Sequence, residues 1–210
     1  MAADLVFYTN PMSRGRIVRW MLEEVGAPYE TEYLDFGPAM KAASYRALNP
    51  MGKVPTLRHG ETIVTECAAI CAYLADAFPE AGLAPPTGAR GAYYRWLFFG
   101  AGRLEAATTN SALDVVVPDE RRGMVGYGSL DDVTDALAGA LEAGSPWIAG
   151  ERFTAADVYV GAQITWGLRF GTLPRRAPFE DYAARLMARP AFGRAAALDD
   201  GAMPAKAGAD

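Results

Sequence analysis

The sequence predicts a chain of two parts, an α/β domain followed by an all-helical domain. Three observations predict this order. Strand-like apolar and alternating runs occur near the start of the chain, and a stretch rich in Gly and Pro follows them. Beyond that stretch, apolar residues recur at helical spacing. The predicted boundaries are residues 1–80 for the α/β domain, 81–90 for a linker and 91–210 for the helical domain.

The first elements predict a βαβ unit. Residues 5–8 form a short apolar run, as in a strand buried on both faces. A helical apolar pattern begins at Ile17, and Gly26 ends it. Residues 29–33 then alternate apolar or hydroxyl side chains with glutamates, which predicts a second strand. Two strands joined by one helix are expected to be parallel.

The next elements complete an α/β pattern. Residues 37–48 predict a short helix, and residues 54–57 and 62–64 predict a hairpin around the turn at 59–61. Thr65 and Glu66 then open an apolar helix that ends before Pro79. The order βαβ, helix, ββα is the thioredoxin arrangement.

The second half of the chain predicts helices alone. Residues 93–99 carry apolar side chains all round their helix, which predicts a central, buried helix. Ser129 with Asp132, and Thr154 with Asp157, have the spacing of capping boxes that open two further helices. The last apolar helical pattern, which includes Tyr182, is predicted to end at residues 189–190.

Composition excludes several classes of protein. Hydrophobic residues make up 51% of the 210 residues, which excludes a disordered chain. The net charge of −5, without a basic patch, argues against nucleic acid and anionic membranes as partners. Two cysteines are too few for a fold held together by disulfides. The start of the chain does not have the pattern of a signal peptide, and the longest later apolar run is too short to span a membrane. The sequence therefore predicts a cytoplasmic protein.

Several motifs together resemble one family. Residues 49–57 read NPMGKVPTL and are followed by Thr65-Glu66-Cys67. Further along the chain, residues 150–157 read GERFTAAD, and residues 182–192 carry Tyr-Ala-Ala-Arg and Arg-Pro-Ala-Phe. In this order and spacing the motifs resemble the cytosolic glutathione S-transferases of bacterial, serine-using type. The resemblance implies the glutathione transferase fold, glutathione as co-substrate, a role in detoxification and a homodimer.

The resemblance also implies the residues that bind glutathione. Pro55 is expected to be cis, so that the backbone of Val54 can pair with the ligand as an added strand. Glu66 is expected to receive the ligand's ammonium group, and the helix N-terminus at Cys67 its carboxylate. Lys53 is expected to contact the glycyl carboxylate. Without the rest of the pattern, the same residues would be an ordinary strand end and helix cap.

One position departs from the family's pattern. The family usually has Ser or Thr where this chain has Cys67, and a thiol is the weaker donor. We expect the backbone amide to keep the ligand bound with reduced affinity. A thiol at a helix N-terminus also ionises more easily, so Cys67 is either redox-sensitive or simply a small residue that fits.

The loop after the first strand is expected to activate the glutathione thiol. Ser13 is the first candidate, by resemblance to family members that use serine; the alternative is that Ser13 only caps its helix. Asn10 is the second candidate, with Thr9 and Tyr8 as further ones. Some relatives use a Thr/Asn pair for thiol–disulfide chemistry. The loop has no cysteine, which argues against a thioredoxin mechanism.

The function predicted from these residues is transfer of glutathione to a small hydrophobic electrophile. The alternatives are glutathione-dependent reduction of peroxides or disulfides, and a non-catalytic, glutathione-binding regulatory module. The electrophile is expected over the helical domain, near Arg103, Asn110 and Trp166. No metal site is predicted, because one histidine and two cysteines are a weak ligand set.

Overall fold

The computed structural model describes residues 4–203, which divide into two compact units. The first unit contains the described residues up to Leu74 and from Arg189 onward, and the second contains Ala75–Ala188. The first unit is therefore built from both ends of the described chain. The boundaries predicted above, at residues 80 and 90, stay a prediction.

A four-stranded mixed sheet forms the centre of the first unit. Its strands are β1 Leu5–Thr9, β2 Tyr29–Tyr33, β3 Thr56–His59 and β4 Thr62–Thr65. They are ordered β2-β1-β3-β4 across the sheet. β1 is parallel to β2 and antiparallel to β3, and β3 and β4 form a hairpin. The predicted parallel pair and hairpin, and with them the thioredoxin-like class, are confirmed.

Helices make up most of the rest of the described chain. They are α1 Gly15–Val25, α2 Pro38–Lys41, α3 Ala43–Arg46, α4 Cys67–Ala77, α5 Gly91–Phe98, α6 Glu105–Ala112, α7 Leu130–Glu142, α8 Ala155–Phe170, α9 Ala177–Met187 and α10 Pro190–Gly201. A π-helical segment, Phe99–Leu104, joins α5 to α6. All the described elements of the second unit beyond α4 are helical, as predicted.

Two short segments differ from the prediction. The strand predicted over residues 54–57 begins instead at Thr56, because Pro55 lacks the N–H that a ladder needs. The single helix predicted over residues 37–48 is two short helices, divided at Ala42, whose backbone is extended.

The central position predicted for the helix over residues 93–99 holds for one of its faces and not for the other. Tyr93, Trp96 and Leu97 are buried, but Tyr94 is 40% exposed and Phe98 is 73% exposed. Only one face of α5 therefore contributes to the core of this chain. The apolar pattern was continuous around the helix, so the pattern could not show which face is covered.

A helix that the sequence analysis missed returns the chain to the first unit. The helix predicted to end at residues 189–190 does end there, since α9 stops at Met187. A further helix, α10, then begins at once, and Pro190 occupies its first turn, where the missing N–H costs nothing. α10 packs on α1, with the rings of Trp20 and Phe192 edge to face at 5.0 Å. The guanidinium of Arg189 donates two hydrogen bonds of 2.7 Å to the carboxylate of Glu24.

A buried arginine also joins α10 to the sheet. Arg19 and Asp199 are almost fully buried and form an ion pair at 3.2 Å. Arg19 also donates to the hydroxyl oxygens of Thr31 at 2.7 Å and Tyr33 at 3.0 Å, on β2. A charge buried this deeply needs such partners, because desolvation would otherwise outweigh its attraction to Asp199.

Both predicted capping boxes are present. Ser129 and Asp132 form an exposed one at the start of α7. The box at α8 is buried, and Asp157 there accepts from the N–H and hydroxyl of Thr154 at 2.8 and 2.9 Å. Asp157 also accepts from the N–H of Ile148 and the hydroxyl of Tyr182, so it joins α8 to α9 and to the preceding loop.

Candidate functional site

Three segments of the first unit leave the sheet at one edge. In the register of the strands, Tyr8 lies opposite Thr56, and Thr56 lies opposite Thr65. Just beyond these paired residues, at the same end of the strands, come the loop after Thr9, the Val54-Pro55 peptide and Glu66. The sheet therefore brings together the residues that the sequence analysis had proposed from separate stretches of the chain.

The Val54-Pro55 segment presents free backbone groups. The peptide bond is cis, as the resemblance implied. Within residues 4–203, neither the N–H nor the C=O of Val54 has a hydrogen-bond partner. These two groups can accept one more extended backbone, in the manner of an added strand.

A polar network that the sequence analysis did not identify fixes this segment. The carbonyl of Lys53 accepts from the hydroxyl of Tyr45 at 2.7 Å and from Nδ2 of Asn49 at 2.8 Å. Both side chains also contact the buried hydroxyl of Thr56. Gly52 has φ of +57°, and a Cβ there would lie 2.4 Å from the carbonyl oxygen of Met40. The glycine of the NPMG motif is thus required by both its conformation and its neighbour.

Glu66 has an unusual backbone conformation at the start of α4. Its φ is +68°, in the left-handed region that non-glycine residues seldom adopt. Its carbonyl accepts from the N–H of Ile70 at 2.8 Å, while its side chain is exposed. Strained residues of this kind cluster at ligand sites, where the conformation aims a side chain that the fold would not otherwise present.

The two cysteines of α4 are buried and unoxidised. The thiol of Cys67 lies 3.2 Å from the carbonyl oxygen of Arg14 and donates to it. The thiol therefore joins the start of α4 to the start of α1. Burial raises the pKa of Cys71 well above its usual range, so this thiol stays protonated and unreactive at neutral pH.

Ser13 and Asn10 form a turn before α1. The hydroxyl of Ser13 donates to the carbonyl of Asn10 at 2.7 Å and accepts from the N–H of Gly15 at 2.9 Å. The N–H of Ser13 donates to the same Asn10 carbonyl at 3.0 Å. Ser13 is partly exposed, so its hydroxyl can reach a ligand if the hydrogen turns away from Asn10. The contact with the N–H of Gly15 is of the kind that a helix cap makes, which is the alternative role of Ser13.

Both polar atoms of the Asn10 amide have hydrogen-bond partners within the protein. Its Nδ2 donates to the carbonyl of Leu34 at 2.8 Å, and its Oδ1 accepts from the N–H of Met12 at 2.9 Å. The side chain is also buried. In this arrangement Asn10 shapes the turn that carries Ser13.

The other candidates near this turn differ in their surroundings. Thr9 is fully buried, and its hydroxyl has no partner in the described part of the chain. That hydroxyl lies 1.9 Å from where a Cβ at residue 15 would be, so only Gly15 fits there. The ring of Tyr8 packs against the ring of Tyr45. Lys53 is exposed at the cis segment.

Comparison with known proteins gives the family. The family model for the glutathione S-transferase N-terminal domain matches residues 12–77. Glutathione S-transferase GstA of Escherichia coli O157:H7 is 34% identical over 125 residues, which are 58% of this chain and 61% of GstA. Glutathione S-transferase GST-4.5 of Xanthomonas campestris is 28% identical over 177 residues, covering 78% of this chain and 83% of that protein.

Solved structures agree over nearly the whole chain. A glutathione transferase from Methylococcus capsulatus superposes with a TM-score of 0.77 at 28% identity, covering 95% of this chain and all of that one. The chain is therefore similar to glutathione S-transferases over most of its length. A theta class glutathione S-transferase from Xanthomonas axonopodis pv. citri, solved with glutathione bound, has a TM-score of 0.74 at 27% identity, covering 92% and 97% of the two chains. The predicted glutathione transferase fold is thereby confirmed, and the relatives agree with the predicted enzyme family.

The second unit has a cleft of its own. The cleft has a volume of about 740 Å³ and lies where the π-helical segment meets residues 125–127. Two guanidinium groups and several aromatic rings line it, among them those of Arg95, Arg103, Phe98, Phe99 and Tyr127. Of the residues predicted near an electrophile, Arg103 lines this cleft, and Asn110 donates to the hydroxyl of Tyr127 at 2.8 Å.

In the part of the chain that the structure describes, no helix is long and apolar enough to cross a membrane.

Proposed function

We propose that this protein binds reduced glutathione at the sheet edge of its first unit and activates the thiol for attack on a small hydrophobic electrophile. The observation that supports the proposal most directly is the free backbone of Val54 beside the cis peptide bond. The cysteinyl part of glutathione is an extended peptide, and pairing with Val54 would fix it at the edge where the turn before α1 also lies.

The two ends of glutathione have matching charges here. The exposed carboxylate of Glu66 suits the ligand's ammonium group. The first turn of α4 offers backbone N–H groups and the positive end of the helix dipole to the γ-glutamyl carboxylate. Lys53 would contact the glycyl carboxylate. Because the thiol of Cys67 already donates to Arg14, the backbone amide is the group that would hold the carboxylate at that position.

Activation means stabilising the thiolate. A free thiol has a pKa of about 8.5, so only about 3% is ionised at pH 7. Lowering that pKa by two units requires about 2.7 kcal/mol, which a hydroxyl donor and the N-terminal end of α1 could supply together. In the proposed reaction the thiol gives its proton to solvent, Ser13 donates to the sulfur, and the thiolate displaces a leaving group from carbon to form a C–S bond.

The remaining assignments follow from the same proposal. The electrophile would bind against the second unit, where the aromatic cleft offers an apolar surface. The exposed apolar side chains of Tyr94 and Phe98 support a homodimer that covers them, and a monomeric mass at micromolar concentration would contradict it. That the two cysteines form no disulfide within the described residues supports the cytoplasm as the compartment.

Calorimetric titration with reduced glutathione tests the proposal. Wild-type protein should bind one glutathione per chain, and Glu66→Gln should weaken binding by about tenfold or more, since it removes the charge that pairs with the ammonium group. Glu61→Gln, an exposed glutamate in the neighbouring hairpin turn, is the matched control and should bind like wild type.

Turnover assays then separate the three functions. Conjugation of a haloarene that Ser13→Ala slows by about tenfold to a hundredfold would support the transferase. Turnover of peroxide or disulfide substrates without conjugation would favour the reductase. Binding without any turnover would favour the regulatory module, and absence of binding at millimolar glutathione would refute all three.

A further inference from the structure

The turn that carries Ser13 is held from outside by one side chain of α1. Nε of Arg16 donates to the carbonyl oxygen of Pro11 at 2.7 Å. Pro11 is the second residue of the turn that the hydrogen bond from Ser13 to Asn10 closes. The guanidinium of Arg16 therefore fixes the backbone two residues before the proposed thiol-activating hydroxyl.

The same guanidinium is fixed by the C-terminal helix. Nη2 of Arg16 donates to the carboxylate of Asp200, which lies near the end of α10. A guanidinium is a rigid plane, so a contact that fixes Nη2 also determines where Nε points. Asp200 thus acts on the carbonyl of Pro11 through Arg16, although it is distant from that carbonyl in the sequence.

The docking of α10 does not depend on Asp200. Asp199 pairs with Arg19 in the interior, and the pairs of Arg189 with Glu24 and Arg194 with Glu23 hold the other end of α1. Asp200 itself is 67% exposed. Its removal should leave α10 in place and change only the contact that leads to the turn.

We propose that Arg16 and Asp200 are positioning residues for thiol activation, which hold the Asn10–Ser13 turn so that Ser13 can donate to the sulfur of glutathione. This inference rests on the proposed function. It assigns to the C-terminal helix a part in the chemistry of the N-terminal half. Neither residue needs to touch glutathione, so their effect should be on the ionisation of the thiol and not on affinity.

The pKa of the bound thiol, followed by the ultraviolet absorbance of the thiolate across pH, tests this inference. Asp200→Asn should raise that pKa by about half a unit and lower kcat/KM near neutral pH about threefold, as expected for one exposed, charge-assisted contact. The dissociation constant of glutathione should stay as in wild type. Asp200→Glu, which keeps the charge, should recover most of the loss.

Two further variants show whether the effect is local. Arg194→Gln removes another ion pair between α1 and α10 but lies away from the turn, so it should leave the thiol pKa unchanged. Arg16→Lys keeps the charge but cannot make both contacts, so it should shift the pKa as Asp200→Asn does. Hydrogen exchange of the amides of Met12 and Ser13 should accelerate in these two variants and not in Arg194→Gln.

The outcomes separate this inference from the proposed function. If wild-type protein binds and ionises glutathione but Asp200→Asn shifts neither the thiol pKa nor the exchange, the positioning role is refuted and the function stands. An equal shift in Arg194→Gln would also refute it, since general loosening of α10 would then explain the effect. A wild-type protein that does not bind glutathione would refute both.

Discussion

Replacing Asp157 should separate the contribution of its hydrogen bonds from that of its charge. Each carboxylate oxygen accepts two bonds: one from Ile148 N–H and Tyr182 hydroxyl, the other from the N–H and hydroxyl of Thr154. Asp157 is completely buried, and burial raises its pKa above the usual range although the four donors oppose that shift. Water cannot replace these partners without entering the core.

The two variants of Asp157 should differ in cost. In Asp157→Ala, two backbone N–H groups and the hydroxyls of Thr154 and Tyr182 lose a buried acceptor. At about 1–3 kcal/mol each, less the recovered desolvation of the charge, this gives a loss of about 4 kcal/mol or more. Asp157→Asn keeps one oxygen and turns an amide N–H₂ toward the N–H of Thr154. We expect it to cost about 2 kcal/mol.

Urea denaturation, followed by circular dichroism and tryptophan fluorescence, measures both losses at constant slope. The matched control is Asp132→Ala, which removes the acid of the exposed capping box at α7. It should cost much less, because water can replace its contacts. Equal losses for Asp157→Ala and Asp132→Ala, or an Asp157→Asn variant as stable as wild type, would refute the reasoning from burial.

Two further predictions concern α4. Glu66→Gly should stabilise the free protein by about 1 kcal/mol, since glycine adopts the observed φ of +68° without strain, while the affinity for glutathione should fall. Thermal denaturation measures the first effect and calorimetry the second. A less stable variant would contradict the prediction. The raised pKa of Cys71 keeps its thiol neutral in the folded state, whereas in the unfolded chain the thiol ionises above a pKa of about 8.5. The buried thiol therefore lowers the free energy of unfolding by about 1.4 kcal/mol for each pH unit above that value and leaves it unchanged below. Denaturation midpoints across that pH range should fall less steeply for Cys71→Ala than for wild type, and parallel slopes would argue against burial as the cause.

The sequence predicted those helices and strands that are determined by residues close together in the chain. The alternation of Tyr29, Thr31 and Tyr33 determined a strand, Gly26 ended α1 in the left-handed conformation, and the spacing of Thr154 and Asp157 predicted a capping box that is present. In each case the residues that decide the structure lie within a few positions of one another.

The elements that were missed depend on distant partners. Pro190 correctly indicated the end of α9, but that a further helix begins there depends on the packing of α10 on α1. The exposure of Phe98 depends on what covers α5, which no single-chain pattern records.

The site residues divide in the same way. Motifs of the family indicated Val54, Pro55 and Glu66, which the structure places at one edge of the sheet. The contacts of Tyr45, Arg16 and Asp200 could not be predicted, because each acts across the fold on a backbone carbonyl that carries no sequence signal. Which group activates the thiol stays a prediction, since the hydroxyl of Ser13 is engaged within its own turn.

The position of α10 has a consequence for synthesis of the chain. The compact unit that begins with β1 includes the helix Pro190–Gly201, so it is not complete when its first 74 residues have been made. At roughly 5–20 residues per second, the ribosome needs about 6 to 23 seconds more to make the intervening residues 75–188. Throughout that interval the face of α1 around Trp20 and the charge of Arg19 lack their cover. The first unit of the nascent chain therefore exposes this face of α1 until α10 has been made.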